Sequence, residues 1–287
     1  RMRDTVEDEL EAALGGEWRA RPLRASGFCD TWEARSEGHR LFVKSGLGPA
    51  IPMLRAEADG LRALRSTGTI RVPKVRAWAE RPGWCVLAMQ WLDFVPPDAG
   101  FGARLGEALA ALHAAPHEGF FGWPQDNYIG ATPQPNAPTH GATGEDWCAF
   151  FASERLGAML ERLEDAALAH AVERVLAALP QLLAGHAPTP ALVHGDLWHG
   201  NWGMLPDGAP VLYDPAVAYT DPEAELAMMD LFGVLPAGFT QAYESAGGVR
   251  ADPRRKRLYQ LYHLLNHVVL FGAAYRQQAL DAAGSLA

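Results

Sequence analysis

The spacing of apolar residues changes along the chain and divides it into two parts. Residues 4–14 have apolar positions at helical spacing and predict a short helix. Residues 19–92 hold short apolar segments separated by Gly- and Pro-containing turns, which predict strands. A helix is predicted between these strands over residues 49–66, and its apolar stripe is formed by Leu54, Ala58, Leu61 and Leu64. The strands are predicted at residues 19–25, 31–35, 40–44, 72–79 and 84–92.

After residue 100 the helical spacing prevails. Residues 116–144 interrupt it with many Gly, Pro, Asn and Thr residues, and a connection of this length inside a domain is usually functional or disordered. The pattern therefore predicts an α+β fold with a small antiparallel sheet plus helix in residues 1–92. A larger, mainly helical part is predicted in residues 93–287. The helices of this part are predicted near residues 103–115, 147–163, 166–183, 223–232 and 258–278.

Composition narrows the class of protein. The 287 residues are 48% apolar and 21% charged, as in ordinary globular proteins, and the net charge is −9. An acidic chain argues against nucleic acid or an acidic membrane as partner, and cationic substrates are compatible with it. No apolar run approaches a membrane span. Three cysteines without a CxxC pair indicate a reducing, cytoplasmic environment.

Three polar residues follow apolar segments at a spacing typical of kinases. Asp196 is followed five residues later by Asn201, and thirteen residues after that by Asp214. In kinases the first Asp accepts the proton of the substrate hydroxyl, while the Asn and the second Asp hold the metal ions at the ATP phosphates. Carboxylate and carbonyl oxygens are the ligands that Mg²⁺ prefers. The spacing therefore predicts ATP and Mg²⁺ as cofactors.

Two other interpretations of this stretch remain open. It could be a polar turn in which Asp196 and Asn201 bond to backbone groups. It could also be a transition-metal site, because His194, Asp196 and His199 are all potential ligands. The metal-site interpretation gives no role to Asn201 or Asp214, so the kinase interpretation is favoured.

The first half of the chain supplies candidates for nucleotide binding. Lys44, one of only three lysines, ends an apolar strand and can reach phosphates, although a strand-end Lys can also extend into solvent. Glu57 lies on the buried side of the following helix and is the candidate partner of Lys44; an exposed Glu is the alternative. Backbone amides at Gly27, with Ser26, are predicted to cover the phosphates. Cys29 is predicted at the tip of this loop as the most oxidisable thiol, and a buried, inert cysteine is the alternative.

Five segments together resemble one known family. They are residues 121–136, 194–201 (His-Gly-Asp-Leu-Trp-His-Gly-Asn), 213–216 (Tyr-Asp-Pro-Ala), 226–233 and 264–272. They resemble the fructosamine kinase, or ketosamine-3-kinase, family of protein-kinase-like enzymes, which is related to aminoglycoside phosphotransferases and choline kinases. The resemblance extends over nearly the whole chain.

The resemblance implies a two-lobed protein-kinase-like fold and an ATP-dependent kinase. The implied acceptor is the 3-hydroxyl of a ketosamine, such as a fructosamine or ribulosamine on a free amine or a protein lysine, and breakdown of the product would release the amine. Asp196 would be the base, and Asn201 and Asp214 would bind Mg²⁺. The adenine would contact the backbone near Gln90 and Leu92.

The chain departs from the family pattern at two positions. His199 stands where family members usually have Ser, and Glu225 stands where they often have Asp, so the acceptor preference is open. Trp198, His199 and Trp202 are candidate acceptor contacts, and a core role is open for both tryptophans. A kinase of the same fold with another acceptor, and a catalytically inactive kinase-like binding protein, are the alternative functions.

Overall fold

The computed structural model describes residues 2–25 and 27–287 and has two lobes of different architecture. Ser26, predicted to contact phosphate, lies outside the described residues. The N-terminal lobe contains a five-stranded antiparallel sheet in the order β1-β2-β3-β5-β4 and two helices. These elements are α1 (Met2–Leu14), β1 (Arg19–Ala25), β2 (Asp30–Ser36), β3 (His39–Leu47), α2 (Ala50–Ser66), β4 (Val75–Arg81) and β5 (Trp84–Gln90).

Both faces of this sheet are buried, because α1 and α2 contribute to different apolar clusters that include alternate residues of the strands. Leu10 of α1 belongs to a cluster with Val43 of β3, whereas Leu61 of α2 belongs to a cluster with Leu87 of β5. Successive side chains of a strand point to opposite faces of the sheet. Lys44 therefore points to the face opposite Val43, toward α2.

The C-terminal lobe is mainly helical. Its core packs Trp147 against leucines and aromatic residues of the long helices. No helix in the described part of the chain combines the length and apolarity needed to span a membrane. The helices are α3 (Phe101–His113), α4 (Gly144–Phe150), α5 (Gly157–Leu160), α6 (Ala166–Leu182), α7 (Pro222–Met229), α8 (Phe239–Ser245), α9 (Pro253–Phe271) and α10 (Arg276–Leu286).

Three short antiparallel strand pairs lie among these helices. They are β6 (Asn127–Ile129) with β7 (Thr132–Gln134), β8 (Ala191–Val193) with β11 (Ala218–Thr220), and β9 (Trp202–Met204) with β10 (Pro210–Leu212). Residues 194–201 follow β8, and residues 213–217 connect β10 to β11. The strand pairs therefore bring these two loops side by side, which the linear spacing of Asp196 and Asp214 only suggested.

Most element types match the sequence-based prediction, with three local differences. Strand β4 begins at Val75 instead of residue 72, because Arg71 bridges to Val211 and Val72 packs in the cluster that contains Leu105. The helix predicted over residues 147–163 is interrupted by a π-helical turn at Phe151–Leu156. Residues 116–144 contain the β6–β7 hairpin. The predicted lobe boundary after residue 92 stays a prediction.

The environment of Cys29 differs from the prediction of an exposed thiol at a loop tip. Its side chain is buried in a small cluster with Leu54 and Cys85, whereas Cys148 is half-buried. The packing of α2 under the sheet covers this end of the loop. The prediction that Cys29 lies exposed at the loop tip is therefore wrong.

The packing of α3 on the α8 region gives a test of this fold. A Cβ atom at Gly102 would lie 2.1 Å from the carbonyl oxygen of Ala237, which is backbone and cannot swing away. Gly102→Ala is expected to lower the free energy of unfolding by about 2 kcal/mol, the scale of overpacking effects. Urea denaturation measures this change.

The matched control is Gly284→Ala in α10, where an added Cβ meets no heavy atom of the described residues within 4 Å. This variant should be unchanged, or stabilised by up to about 1 kcal/mol through its helix propensity. Equal stabilities of the two variants would contradict the close packing of α3.

Candidate active site

The ammonium group of Lys44 lies between two carboxylates at the boundary of the lobes. Its Nζ donates to Glu57 Oε1 at 2.7 Å and to Asp214 Oδ1 at 2.8 Å. The side chains of Lys44 and Glu57 are 10% and 12% exposed, whereas that of Asp214 is 50% exposed. Burial alone would lower the pKa of Lys44, but the two carboxylates outweigh burial and raise it. Lys44 is therefore a cation fixed at the site.

Asp214 has an unusual backbone conformation. Its φ of 53° is the one positive φ among the described non-glycine residues, and such conformations are costly and cluster at functional sites. The flanking backbone is held by Tyr213 N–H, which donates to Asn201 O at 3.0 Å, and by Ala216 N–H, which donates to His194 O at 2.7 Å. Burial would raise the pKa of Asp214, but the ammonium of Lys44 lowers it, so the carboxyl group stays ionised.

His194 connects the loop that carries Asp196 to the loop that carries Asp214. Its Nδ1 accepts from the N–H of Asp196 at 3.1 Å, so the proton is on Nε2, which donates to Tyr213 O at 2.6 Å. Burial lowers the pKa of His194 and keeps this neutral tautomer. Both ring nitrogens are therefore engaged with backbone. The interpretation of His194, Asp196 and His199 as a transition-metal site is wrong.

The oxygen atoms near Lys44 fit a divalent cation. Asn201 is buried, and its Nδ2 donates to the backbone oxygen of Asp196 at 2.8 Å, which leaves Oδ1 as the acceptor of the amide. Asp214 adds a half-exposed carboxylate. The buried Oε2 of Glu57 has no hydrogen-bond partner among the described residues. The protein thus does not saturate these groups, and they include the oxygen types that Mg²⁺ prefers.

Glu225 of α7 holds the beginning of residues 194–201, which we call the catalytic loop. Its Oε2 accepts from His194 N–H at 2.8 Å, and its Oε1 accepts from Gly195 N–H at 2.9 Å. The ring of His113 contacts Glu225 Oε2 through Nε2 at 3.0 Å and Tyr243 OH through Nδ1 at 2.7 Å. Burial would raise the pKa of Glu225, but the bonds to His113 and the backbone lower it. An ionised carboxylate therefore fixes two consecutive amides.

Gly195 is required by the close approach of the two loops. Its φ is 93°, and a Cβ atom there would lie 1.9 Å from the carbonyl oxygen of Ala216. Only glycine fits both the left-handed backbone and this contact.

Asp196 comes directly after Gly195 in the chain. Burial, with the negative charges of Asp214 and Glu225, raises the pKa of Asp196 to about 8, which makes its carboxylate a stronger base than an ordinary Asp.

The residues predicted to bind nucleotide in the N-terminal lobe are less closely grouped. Gly27 is exposed in the turn between β1 and β2. The N–H of Gln90 donates to Lys74 O at 2.8 Å, so it is used within the lobe and does not face a ligand. Leu92 lies just after β5 and is half-buried. That adenine contacts the backbone near Gln90 and Leu92 stays a prediction, and the N–H of Gln90 is already bonded to Lys74 O.

The three predicted acceptor contacts lie in different environments. Trp202 is buried on β9 in a cluster with Leu212, so the structure gives it a core role. Trp198 is half-buried, and its ring meets the exposed ring of His199 edge-on, with 4.8 Å between the centroids. Trp198 and His199 are therefore more accessible than Trp202, and their role as acceptor contacts stays a prediction.

The β6–β7 hairpin supports the Asp214 loop through buried amides. Asn127 Nδ2 donates to Val217 O at 2.7 Å, and Gln134 and Asn136 both donate to Asn127 Oδ1 at 2.9 Å. Asn136 Oδ1 accepts in turn from Arg155 Nη2 at 2.7 Å. The sequence indicated a functional segment here without a role for any single residue. The structure shows that these amides fix the backbone just after Asp214.

Comparison with known proteins decides the family of this site. A family model described as fructosamine kinase matches residues 3–286. The chain belongs to the fructosamine kinase family. A Synechocystis protein named a probable ketoamine kinase is 42% identical over 96% of this chain and 93% of its own length. A chloroplastic protein-ribulosamine 3-kinase of Oryza sativa subsp. indica is 35% identical over 86% of this chain and 72% of its own length.

Solved structures agree with this assignment. A Thermobifida fusca crystal structure assigned as a fructosamine-3-kinase is 36% identical, covers 99% of this chain and 98% of its own, and has a TM-score of 0.86. An aminoglycoside phosphotransferase structure is 16% identical with a TM-score of 0.67 over 98% of this chain and 97% of its own, and shows the same fold. The predicted family, the protein-kinase-like fold and a phosphotransferase acting on an alcohol group are confirmed.

The raised pKa of Asp196 predicts how this fructosamine kinase family member responds to pH. A carboxyl group with a folded pKa of about 8 and an ordinary value of 3.8 holds its proton more tightly in the folded state. Its ionisation therefore costs stability progressively as pH rises between these values. Asp196→Asn should unfold at a higher urea concentration than the native chain at pH 8, and the difference should shrink toward pH 4.

This comparison is made in buffer with a chelator, so that no cation compensates the carboxylate. Asp8→Asn is the matched control, since the side chain of Asp8 is exposed on α1. An Asp196→Asn variant that is less stable than the native chain at pH 8 would contradict the buried, destabilised carboxylate.

Proposed function

We propose that this protein uses ATP and Mg²⁺ to phosphorylate the 3-hydroxyl group of ketosamines. One observation carries the proposal: the base candidate Asp196 lies on a loop locked beside the Lys44–Asp214 ion pair. The bonds of His194 and Glu225 fix this arrangement through the backbone. Phosphoryl transfer depends mainly on such positioning and on charge compensation.

The side chains divide the work of the reaction as follows. Asp196 accepts the proton of the acceptor hydroxyl as the hydroxyl oxygen forms a bond to the γ-phosphorus of ATP, and the bond from that phosphorus to the β,γ-bridging oxygen breaks to release ADP. Lys44, oriented by Glu57, neutralises phosphate charge. Asn201 and Asp214 would hold Mg²⁺, which would supply positive charge to compensate the phosphates when bound. Gly27, in the loop predicted to cover the phosphates, and the backbone at Leu92 would hold the rest of the nucleotide.

The acceptor class follows from the family and its relatives. The names of the relatives refer to ketoamines and ribulosamines. We infer that fructosamines and ribulosamines are both candidates, as small amines or on protein lysines. Phosphorylation at O3 would yield an unstable product whose breakdown releases the amine, so the physiological effect would be deglycation.

The role of Asp196 is tested by kinetics. Asp196→Asn keeps the shape of the side chain and removes the base, so kcat should fall by about 10²–10⁴-fold. ADP release is followed with ATP, Mg²⁺ and synthetic ribulosamine or fructosamine. Asp8→Asn again serves as control and should keep native turnover. Near-native turnover by Asp196→Asn would refute the assignment of the base, and absence of turnover by the native protein with both acceptors would refute the acceptor class.

The role of Glu57 is tested on the nucleotide side. Glu57→Gln keeps the length of the side chain but removes the charge that orients Lys44. The KM for ATP should rise about tenfold, the scale of a hydrogen bond between charged groups, while the KM for the acceptor stays the same. Glu107→Gln, on the exposed face of α3, is the control. An increase confined to the acceptor KM would contradict this role.

A further inference from the structure

An aromatic cluster lies next to His199 of the catalytic loop. We define the aromatic box as Phe232, His267, Phe271 and Tyr275. The His267 ring is central: its centroid lies 4.4 Å from that of Phe232, 4.9 Å from that of Tyr275 and 5.5 Å from that of Phe271. Phe271 is 61% exposed, and the other three are partly buried. The box therefore opens to solvent.

The end of α9 builds the box. His267 and Phe271 are four residues apart and share one face of the helix. The helix stops at Gly272, whose φ of 75° and ψ of −140° are accessible essentially to glycine alone. A 3₁₀ turn, Gly272–Tyr275, then brings Tyr275 back against His267. This turn leaves the ring of Phe271 outside the core, where it contributes little to folding.

Contacts connect the box to the catalytic loop. Phe232 is followed by Gly233, where an added Cβ would lie 2.8 Å from Cδ2 of His199. His199 is three residues after Asp196. Helix α9 also reaches this loop, because Tyr262 and His263 line a small internal cavity together with Gly195. The loop, the segment after α7 and the end of α9 thus form one continuous wall.

The chemistry of the box favours a cation. His267 Nδ1 donates to His263 O at 2.9 Å, so a neutral ring presents Nε2 as an acceptor. Burial lowers the pKa of His267, which keeps the ring neutral. The faces of Phe and Tyr rings attract cations. No carboxylate belongs to the box, so a metal ion is a poor fit, whereas an organic ammonium group can both donate to Nε2 and contact the rings.

We propose that the aromatic box binds the protonated amine of the ketosamine, with the rest of the amine carrier passing over Phe271 into solvent. This inference rests on the proposed function. A ketosamine carries its nitrogen on C1 and the reacting hydroxyl on C3, so an amine site must adjoin the base. An opening to solvent at Phe271 would admit carriers of different length.

The test compares a charged acceptor with a neutral one. N-propyl fructosamine carries a protonated amine, and its N-acetyl derivative has the same sugar with a neutral amide nitrogen. Native protein should prefer the amine in kcat/KM. The preference should fall about threefold in Phe271→Leu, which removes an exposed π face. It should fall about tenfold in His267→Phe, which keeps an aromatic ring and removes the nitrogen that accepts from a charged donor.

Two controls separate recognition from structural damage. His170→Gln changes a remote, 69% exposed histidine on α6 and should keep the native preference. The KM for ATP should be unchanged in both box variants. Because Phe271 is exposed, Phe271→Leu tests the inference even if His267→Phe folds poorly.

The outcomes are distinguishable. Native turnover with an unchanged preference in Phe271→Leu, or an equal loss for both acceptors in both box variants, would overturn the amine site and leave the kinase function intact. A native protein that phosphorylates neither acceptor would overturn the proposed function, and the amine site with it. A lower preference in the box variants, with the KM for ATP at its native value, would establish the site.

Discussion

The structure of the active site depends on the buried ammonium of Lys44. A cation out of contact with water is unfavourable unless carboxylates compensate it. Here one partner comes from α2, on the same face of the sheet, and the other from the C-terminal lobe. The alternation of side chains along β3 points Lys44 to α2, and the short pair β9–β10 delivers Asp214 from the other side. The charge requirement of one side chain thus links the two lobes at the place where nucleotide would bind.

The second constraint is the set of hydrogen bonds that holds the backbone around Asp196. Glu225 accepts two consecutive N–H groups, and His194 ties the N–H of Asp196 to the carbonyl of Tyr213. The backbone of Asp196 is therefore fixed independently of its carboxyl group, next to which the amide of Asn201 lies. The raised pKa of this carboxyl group follows from the same placement, since burial and two nearby carboxylates disfavour its charge. The stability of the loop and the strength of the base are properties of one arrangement.

The residues proposed to select the acceptor lie apart from the residues proposed to handle phosphate. The amides of the β6–β7 hairpin stabilise the Asp214 loop, while the wall from His199 to Tyr275 is the proposed acceptor side. His199, which stands where relatives usually have a serine, contacts Gly233 at the edge of the aromatic box. The departure from the family pattern therefore lies where it can alter the choice of amine without changing the groups that handle phosphate.

The sequence by itself determined the element types, the residues with kinase spacing and the pairing of Lys44 with Glu57, because these depend on periodicity and on neighbours close in the chain. It did not determine the burial of Cys29, the core position of Trp202 or the loss of the Gln90 N–H to Lys74. The contact of His113 with Glu225 joins residues 112 positions apart. Such contacts depend on how whole helices and strands pack, and a linear pattern does not encode which distant polar groups then meet.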